Sequence, residues 1–285
     1  MSHTKRKMII YLVIFVSLCL FSFISGKLAP HDPELVDLSM AKMAPCQEYP
    51  MGTDGLGRCI LSRILSGASS SIFASLVIVF LSMLAGCVVG LISGYAGGIV
   101  DEILMRIVDI FLAFPGIVLS IAVAGMLGPG LTNGVLALAA TGWTQYARLT
   151  RSYVHSIRKE NYISVAVLNG QRPLSILMKH IMPNALRPVI VTATLHLSSA
   201  MLSISGLSFL GLGSSTAEWG SMLSDGRSLM QQCPWIVFFP AMAIFIVTIF
   251  FNLFGDSVRD ALDPKGMYKK VSAKKLSKIR KIVSD

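Results

Sequence analysis

Residues 72–95 read IFASLVIVFLSMLAGCVVGLISGY, 24 residues without an acidic or basic side chain. A run of about 20 such residues crosses the hydrocarbon core of a bilayer as a helix. Comparable runs lie to either side: Met8–Ser25, Ile103–Leu127, Leu131–Tyr146, Val189–Leu210 and Ile236–Phe254. The composition agrees. Charged residues make up 14% of the 285 residues, against roughly 25% in a soluble domain, and mean hydropathy is +0.67. The expected fold class is all-α, a polytopic membrane protein with six transmembrane helices. The fourth and sixth runs are short, and Trp143, Tyr146 and Trp235 at their flanks suit the aromatic belt of the membrane interface. The first run follows Lys5-Arg6-Lys7 as a signal peptide would. No clear cleavage site precedes Lys27-Leu28-Ala29-Pro30, so it is read as a retained anchor. The 5 cysteines include no CxxC pair, which excludes a zinc knuckle or a redox motif.

The net charge of +10 borders the apolar runs, a pattern of membrane topology rather than nucleic-acid binding. With the N-terminus in the cytoplasm, 20 of the 25 Lys and Arg fall on cytoplasmic segments. Both termini are therefore expected inside. Residues 1–27 form the cytoplasmic start and first span, and 28–67 an extracytoplasmic segment. Residues 68–264 form a five-helix core with a cytoplasmic segment at 147–188, and 265–285 a basic cytoplasmic tail. The outer segment is too short and polar to hold a core of its own and is expected to pack on a partner. The tail, with eight Lys and Arg beside the inner leaflet, enforces topology and faces anionic lipid.

The inner segment, residues 148–188, reads RLTRSYVHSIRKENYISVAVLNGQRPLSILMKHIMPNALRP. Ser152–Val167 has helical spacing, Gly170 turns the chain, Pro173 restarts it, Leu174–Ile181 reads as a second helix, and Pro183 breaks that helix. Two short helices about a glycine elbow make either a docking knob or a connector packed on its own spans. No HExxH, GxSxG or Walker A sequence is present, so the chain does not hydrolyse ATP by itself. No carboxylate lies at mid-span, which argues against a proton-coupled carrier, although His196 stands inside the fifth run. That run is the least oily. Ser199, Ser203 and Gly206, with His196 and Met201, are candidate pore-lining residues or small residues at a helix interface. His196 and Met201 are five apart, off one helical face, and no metal ligand set is assigned. Arg106 and Asp109 are spaced for a local pair. Thr53 or Asp54 is placed to cap a helix through Ser62 and Arg63.

Several blocks of this chain resemble a known family. Ser164-Val165-Ala166, Gly170 and Ile181-Met182-Pro183 resemble the signature of ABC importer permeases, with Ser164 where the family has glutamate. Met51-Gly52-Thr53-Asp54 with Gly57-Arg58 resembles a block of the dipeptide, oligopeptide and nickel permeases, with Cys59 replacing Asp. Gly94-Tyr95 with Gly97-Gly98 and Asp101 resembles their next block. So do Ser208-Phe209-Leu210-Gly211-Leu212-Gly213 with Glu218-Trp219-Gly220, and Asn252-Leu253-Phe254-Gly255-Asp256. The resemblance covers nearly the whole chain and is to the second of two unlike permeases.

It implies the type I importer permease fold in a prokaryotic plasma (inner) membrane. It also implies a homologous second permease, two ABC ATPase subunits and an extracytoplasmic solute-binding protein. This chain would bind no cofactor, ATP and Mg being held by the partner subunits. Glu160–Gly170 would be the coupling helix, with Arg158 and Lys159 pairing with acidic groups of the ATPase or serving only topology. Gly170 would give the elbow and Pro183 the second turn. Asp54, Arg58, Glu218 and Trp219 would contact the binding protein or order the outer mouth. The texture of 193–206 and 130–152 leans towards nickel or a related metal chelate as substrate, with dipeptides and oligopeptides as the alternative.

Overall fold

A computed structural model describes residues 3–214 and 216–262. The expected features of the basic tail lie outside the described residues. The described chain is helical and without strands, apart from one isolated bridge between Thr53 and Cys59. The main helices are α1 (His3–Ser25), α2 (Ile60–Ala96), α3 (Gly98–Leu112), α4 (Gly116–Leu127), α5 (Leu131–Arg158) and α6 (Asn161–Leu168). They are followed by α7 (Pro173–Leu212), α8 (Trp219–Gly226) and α9 (Trp235–Leu262).

By length and composition α1, α2, α7 and α9 qualify as membrane spans, and α3 with α4 gives a fifth if that bent pair is one span. Six were expected. The difference is α5, which has 28 residues but is polar along its whole length, with Thr132, Asn133, Thr141, Thr144 and Gln145 in its first part and Arg148, Arg151, His155 and Arg158 in its second. The expected straight helix over 103–127 is also broken, with 88° between α3 and α4. Pro115 has no amide hydrogen to donate and disfavours the helical region at Phe114, so the first helix ends there and a second starts.

Helix α2 begins twelve residues before the apolar run, its first turns burying Ile60, Ser62, Arg63, Gly67, Ala68 and Ser71. Its 37 residues extend about 55 Å, well beyond a hydrocarbon core of about 30 Å. Along one face, Gly86, Gly90 and Gly94 lie against α5. A Cβ at Gly90 would sit 2.5 Å from Ala147 O, and one at Gly94 2.8 Å from the Val154 Cβ. This period-four stripe lets the two backbones meet. α7 and α9 pack beside this pair, and α1 adds at the edge through Phe15, stacked on Phe254 at 4.4 Å.

Pro183 does not break α7. A π turn over Leu177–Ile181 carries the chain into it, and Asn184 Nδ2 donates 2.8 Å to the His180 carbonyl. A wider turn and a side-chain donor absorb the disruption that proline brings.

Candidate functional site

Three regions hold the residues singled out from sequence. The first is the α5–α6–α7 end. The expected helix over Ser152–Val167 is two helices, because α5 stops at Arg158 and Lys159-Glu160 form a turn. Glu160 stands at the N-cap of α6 without a side-chain cap bond. At the other end Gly170 N–H donates to Val167 O and Gln171 N–H to Ala166 O, with Gly170 at φ +69°. That pair of bonds with a left-handed glycine is a Schellman stop. Ile163 and Ala166 are buried with Val154, Ile176, Ile181 and Ala185 in a small core separate from the main one. Ser164 and Pro183 are exposed. So are Tyr162, Val165, Val167 and Leu168, the last to 86%. α6 is thus a short helix held from behind with an unpartnered apolar face.

Arg158 is engaged within the chain. Its Nη1 donates to Gly94 O (3.1 Å) and Tyr95 O (2.8 Å), and the guanidinium lies 5.5 Å from the centre of the Tyr95 ring. Beside it Asp101 accepts both Nε and Nη2 of Arg151 and the hydroxyl of Ser93. The expected pairing of Arg106 with Asp109 is absent: Asp109 takes Arg148 at 2.6 Å, and Arg106 sits 3.7 Å from Glu102. Contacts between helices displaced the local pair.

The second region is a cavity of about 290 Å³ between α2, the α3–α4 elbow, α5 and α7. His196, Ser199 and Ser203 line it, together with Ser120, Thr141 and Tyr146. No Asp, Glu, Lys or Arg lines it. Tyr146 Oη and His196 Nδ1 are 3.1 Å apart. The other two pore-lining candidates do not line it. Met201 is fully buried in the main core, and a Cβ at Gly206 would meet nothing of this chain within 4 Å. Sequence reading missed Tyr146, whose aromatic character was assigned to the membrane interface.

The third region is the opposite end. Thr53 and Asp54 do not cap α2, whose N-cap is Cys59 without a side-chain bond. Instead Thr53 Oγ1 ties Met43 N–H to Met40 O. Asp54 accepts Leu56 and Arg58 amides, Arg58 Nε at 2.7 Å and Arg63 Nη1 at 2.5 Å. Arg58 Nη2 reaches Asp225 of α8 at 3.0 Å. Glu218 is fully buried and caps α8, accepting from Gly220 and Ser221 amides. Trp219 Nε1 donates to Ile64 O. The side chains of Thr53, Asp54, Arg58, Glu218 and Trp219 are buried and bonded within the chain, which is how they order this end. Part of the 28–67 segment packs on its own chain, where Glu34 accepts from Ala217 N–H and Trp235 Nε1 reaches Thr53 O, while Leu28, Leu35, Val36 and Leu38 stay exposed. Nearby, Ser39 hydroxyl and amide hydrogen bonds hold the Asp37 carboxyl below its usual range.

Comparison with known proteins places this architecture. Residues 86–266 match the family described as binding-protein-dependent transport system inner membrane component. The dipeptide transport system permease protein DppC of Alkalihalophilus pseudofirmus is 41% identical over 92% of this chain and 87% of its own. The nickel transport system permease protein NikC of Escherichia coli is 38% identical over 89% of this chain and 92% of its own. An inward-facing structure of the MetNI methionine ABC transporter shares the fold, with TM-score 0.56 and 19% identity over 70% of this chain and 96% of that one. Such subunits are permeases and not enzymes, ATP hydrolysis lying with separate ATPase subunits. The chain belongs to the family of binding-protein-dependent inner membrane components, as a multi-pass permease subunit of an ABC importer.

Proposed function

We propose that this permease forms half of a translocation path for dipeptides or oligopeptides and couples it to cytoplasmic ATPases through residues 160–170. The observation that carries the coupling reading is α6. It is braced by its own small core, stopped by a left-handed glycine, and presents Val165, Val167 and Leu168 outward. A rigid apolar knob of this kind suits a groove on a partner. ATP-driven closure of the ATPases would displace it, and the attached helices would carry the motion to the cavity at the α3–α4 elbow. The α6 end is then cytoplasmic, as are both termini, in line with the bias of Lys and Arg. The complex is a heterodimer with a homologous permease, served by two ATPase subunits and a solute-binding protein.

Sequence texture put nickel first. The relatives favour the alternative: those similar to this chain include permeases named for dipeptides, D,D-dipeptides and oligopeptides. The cavity, lined in part by hydroxyls and without Asp, Glu, Lys or Arg, suits a solute rich in amide groups. The nickel reading keeps support from NikC. Among the described residues no group of three or more His, Cys, Asp or Glu is placed to hold a metal, so that reading requires a chelate delivered from outside. Uptake of labelled dipeptide and of radioactive nickel, compared in cells with and without this chain, decides the substrate. Loss of peptide uptake with nickel uptake retained is the expected result, and the reverse would restore nickel. Gly170→Pro tests coupling: proline lacks the donated N–H and cannot take φ +69°. The variant is expected to reach the membrane yet transport poorly for each ATP consumed.

A further inference from the structure

We infer that Tyr95 and Arg158 form the joint through which movement of the α6 segment reaches α2, which makes both of them positioning residues for transport. The final carbonyls of a helix have no partners within it. At the end of α2 those of Gly94 and Tyr95 are taken by Arg158, the last residue of α5. A cation at this end also faces the negative pole of the helix dipole. The ring of Tyr95 lies under the guanidinium, and its hydroxyl donates 2.9 Å to the carbonyl of Pro173, the first residue of α7.

The α6 segment, residues 159–172, therefore leaves the bundle at Arg158 and re-enters it at Pro173, and Tyr95 holds both points. A push on α6 meets α2 at Tyr95 and at Leu91, which also packs on the small core behind α6, and of the two only Tyr95 is hydrogen-bonded to the chain's point of re-entry. α2 is suited to pass the push on. It is one uninterrupted helix without proline, joined to α5 along Gly86, Gly90 and Gly94. At its far end Arg63 enters the buried cluster with Asp54 and Asp225. The guanidinium of Arg158, read from sequence as pairing with acids on an ATPase or as serving only topology, gives its Nη1 to this joint.

The inference rests on residues 160–170 being the coupling segment. The test uses the complete importer in proteoliposomes, with substrate uptake and ATP hydrolysis measured together. Tyr95→Phe keeps the ring and removes the bond to Pro173; Arg158→Met keeps the stem and removes the nitrogen that donates to both carbonyls. Each is expected to lower substrate moved per ATP by about threefold to tenfold, the scale of one hydrogen bond, while hydrolysis continues. The double variant should be no worse than the worse single one, because both changes break one joint. A clip with only a structural role would lower the amount of assembled complex and leave the ratio per complex alone. Wild-type ratios in both variants, multiplied losses in the double variant, or ATPase subunits lost on purification would each overturn the joint. Gly170→Pro run beside them separates the two ideas. Normal coupling there removes the coupling segment itself, whereas impaired coupling there with normal Tyr95 and Arg158 variants removes only the joint.

Discussion

Arg63 Nη1 lies 2.5 Å from Asp54 Oδ2, with the Arg63 side chain only 1% exposed. Asp54 thus neutralises a guanidinium inside the fold and, through its other contacts, Arg58 as well. Removing one member of a buried ion pair costs about 3–5 kcal/mol, because the remaining charge is left without compensation. Asp54→Ala leaves two buried arginines with only the half-exposed Asp225 and is expected to fall towards the lower end of that range. Asp225 is 48% exposed, so Asp225→Asn should cost about 1 kcal/mol or less. Thermal unfolding of the detergent-solubilised protein orders the two, and equal effects would contradict the burial argument.

The α2–α5 seam makes a sharper demand on side-chain volume. A Cβ at Gly90 would lie 2.5 Å from Ala147 O and 2.6 Å from the Thr150 Cβ, both on α5. Gly90→Ala must push the helices apart and is expected to cost about 1–3 kcal/mol or more. Gly125 in α4 has open space at the same atom, and Gly125→Ala should gain up to about 1 kcal/mol of helix propensity. Membrane levels and melting temperatures of the two variants should move in opposite directions.

These two cases mark what sequence alone could deliver. The apolar runs and the Gly170 elbow were legible because each is a local property: hydropathy over 20 residues, or one residue type at a stop. His196, Ser199 and Ser203 stand out because polar side chains are costly in an apolar run. The seam is written in the four-residue spacing of Gly86, Gly90 and Gly94, whereas Gly206, in the least oily run, has empty surroundings within the chain. Spacing alone does not say which small residues meet a neighbour. The ties of Arg63 to Asp225, Asp109 to Arg148 and Tyr146 to His196 join residues far apart in sequence. Local spacing pointed instead to Arg106 for Asp109 and to a helix cap for Asp54.

Topology has a direct check in the native cysteines. Cys46 in the 28–67 segment is exposed, Cys59, Cys87 and Cys233 are buried, and Cys19 is half-buried within α1. A membrane-impermeant maleimide applied to the outer face should label Cys46, and Cys46→Ser should abolish most of that labelling. A cysteine introduced at Ser277 should react only after the membrane is opened. Protection of Cys46 with labelling at 277 would invert the orientation drawn from the distribution of Lys and Arg.

The cavity gives a test of the path that does not depend on how well a variant folds. Its lining mixes apolar side chains with hydroxyls and holds no Asp, Glu, Lys or Arg, so it offers a peptide hydrogen bonds and little reason to prefer one side-chain charge over another. Ser199 lines it and is exposed from this chain, which leaves room for a slightly larger side chain. A carboxylate placed there would attract a cationic dipeptide and repel an anionic one. At about 4 Å, two unit charges interact by about 1 kcal/mol in water and about 4 kcal/mol near a protein surface. Ser199→Asp should therefore separate the uptake of lysine-containing and glutamate-containing dipeptides by about tenfold, where the unaltered chain separates them far less. Whether attraction speeds entry or slows release, the two peptides must diverge. Met201→Leu, two residues along but turned into the main core, should leave their ratio unchanged. Tyr146→Phe removes the hydroxyl partner of His196 and should lower both uptakes together by about twofold to tenfold, on the scale of one hydrogen bond. Equal handling of the two charged dipeptides by Ser199→Asp would place the path outside this cavity.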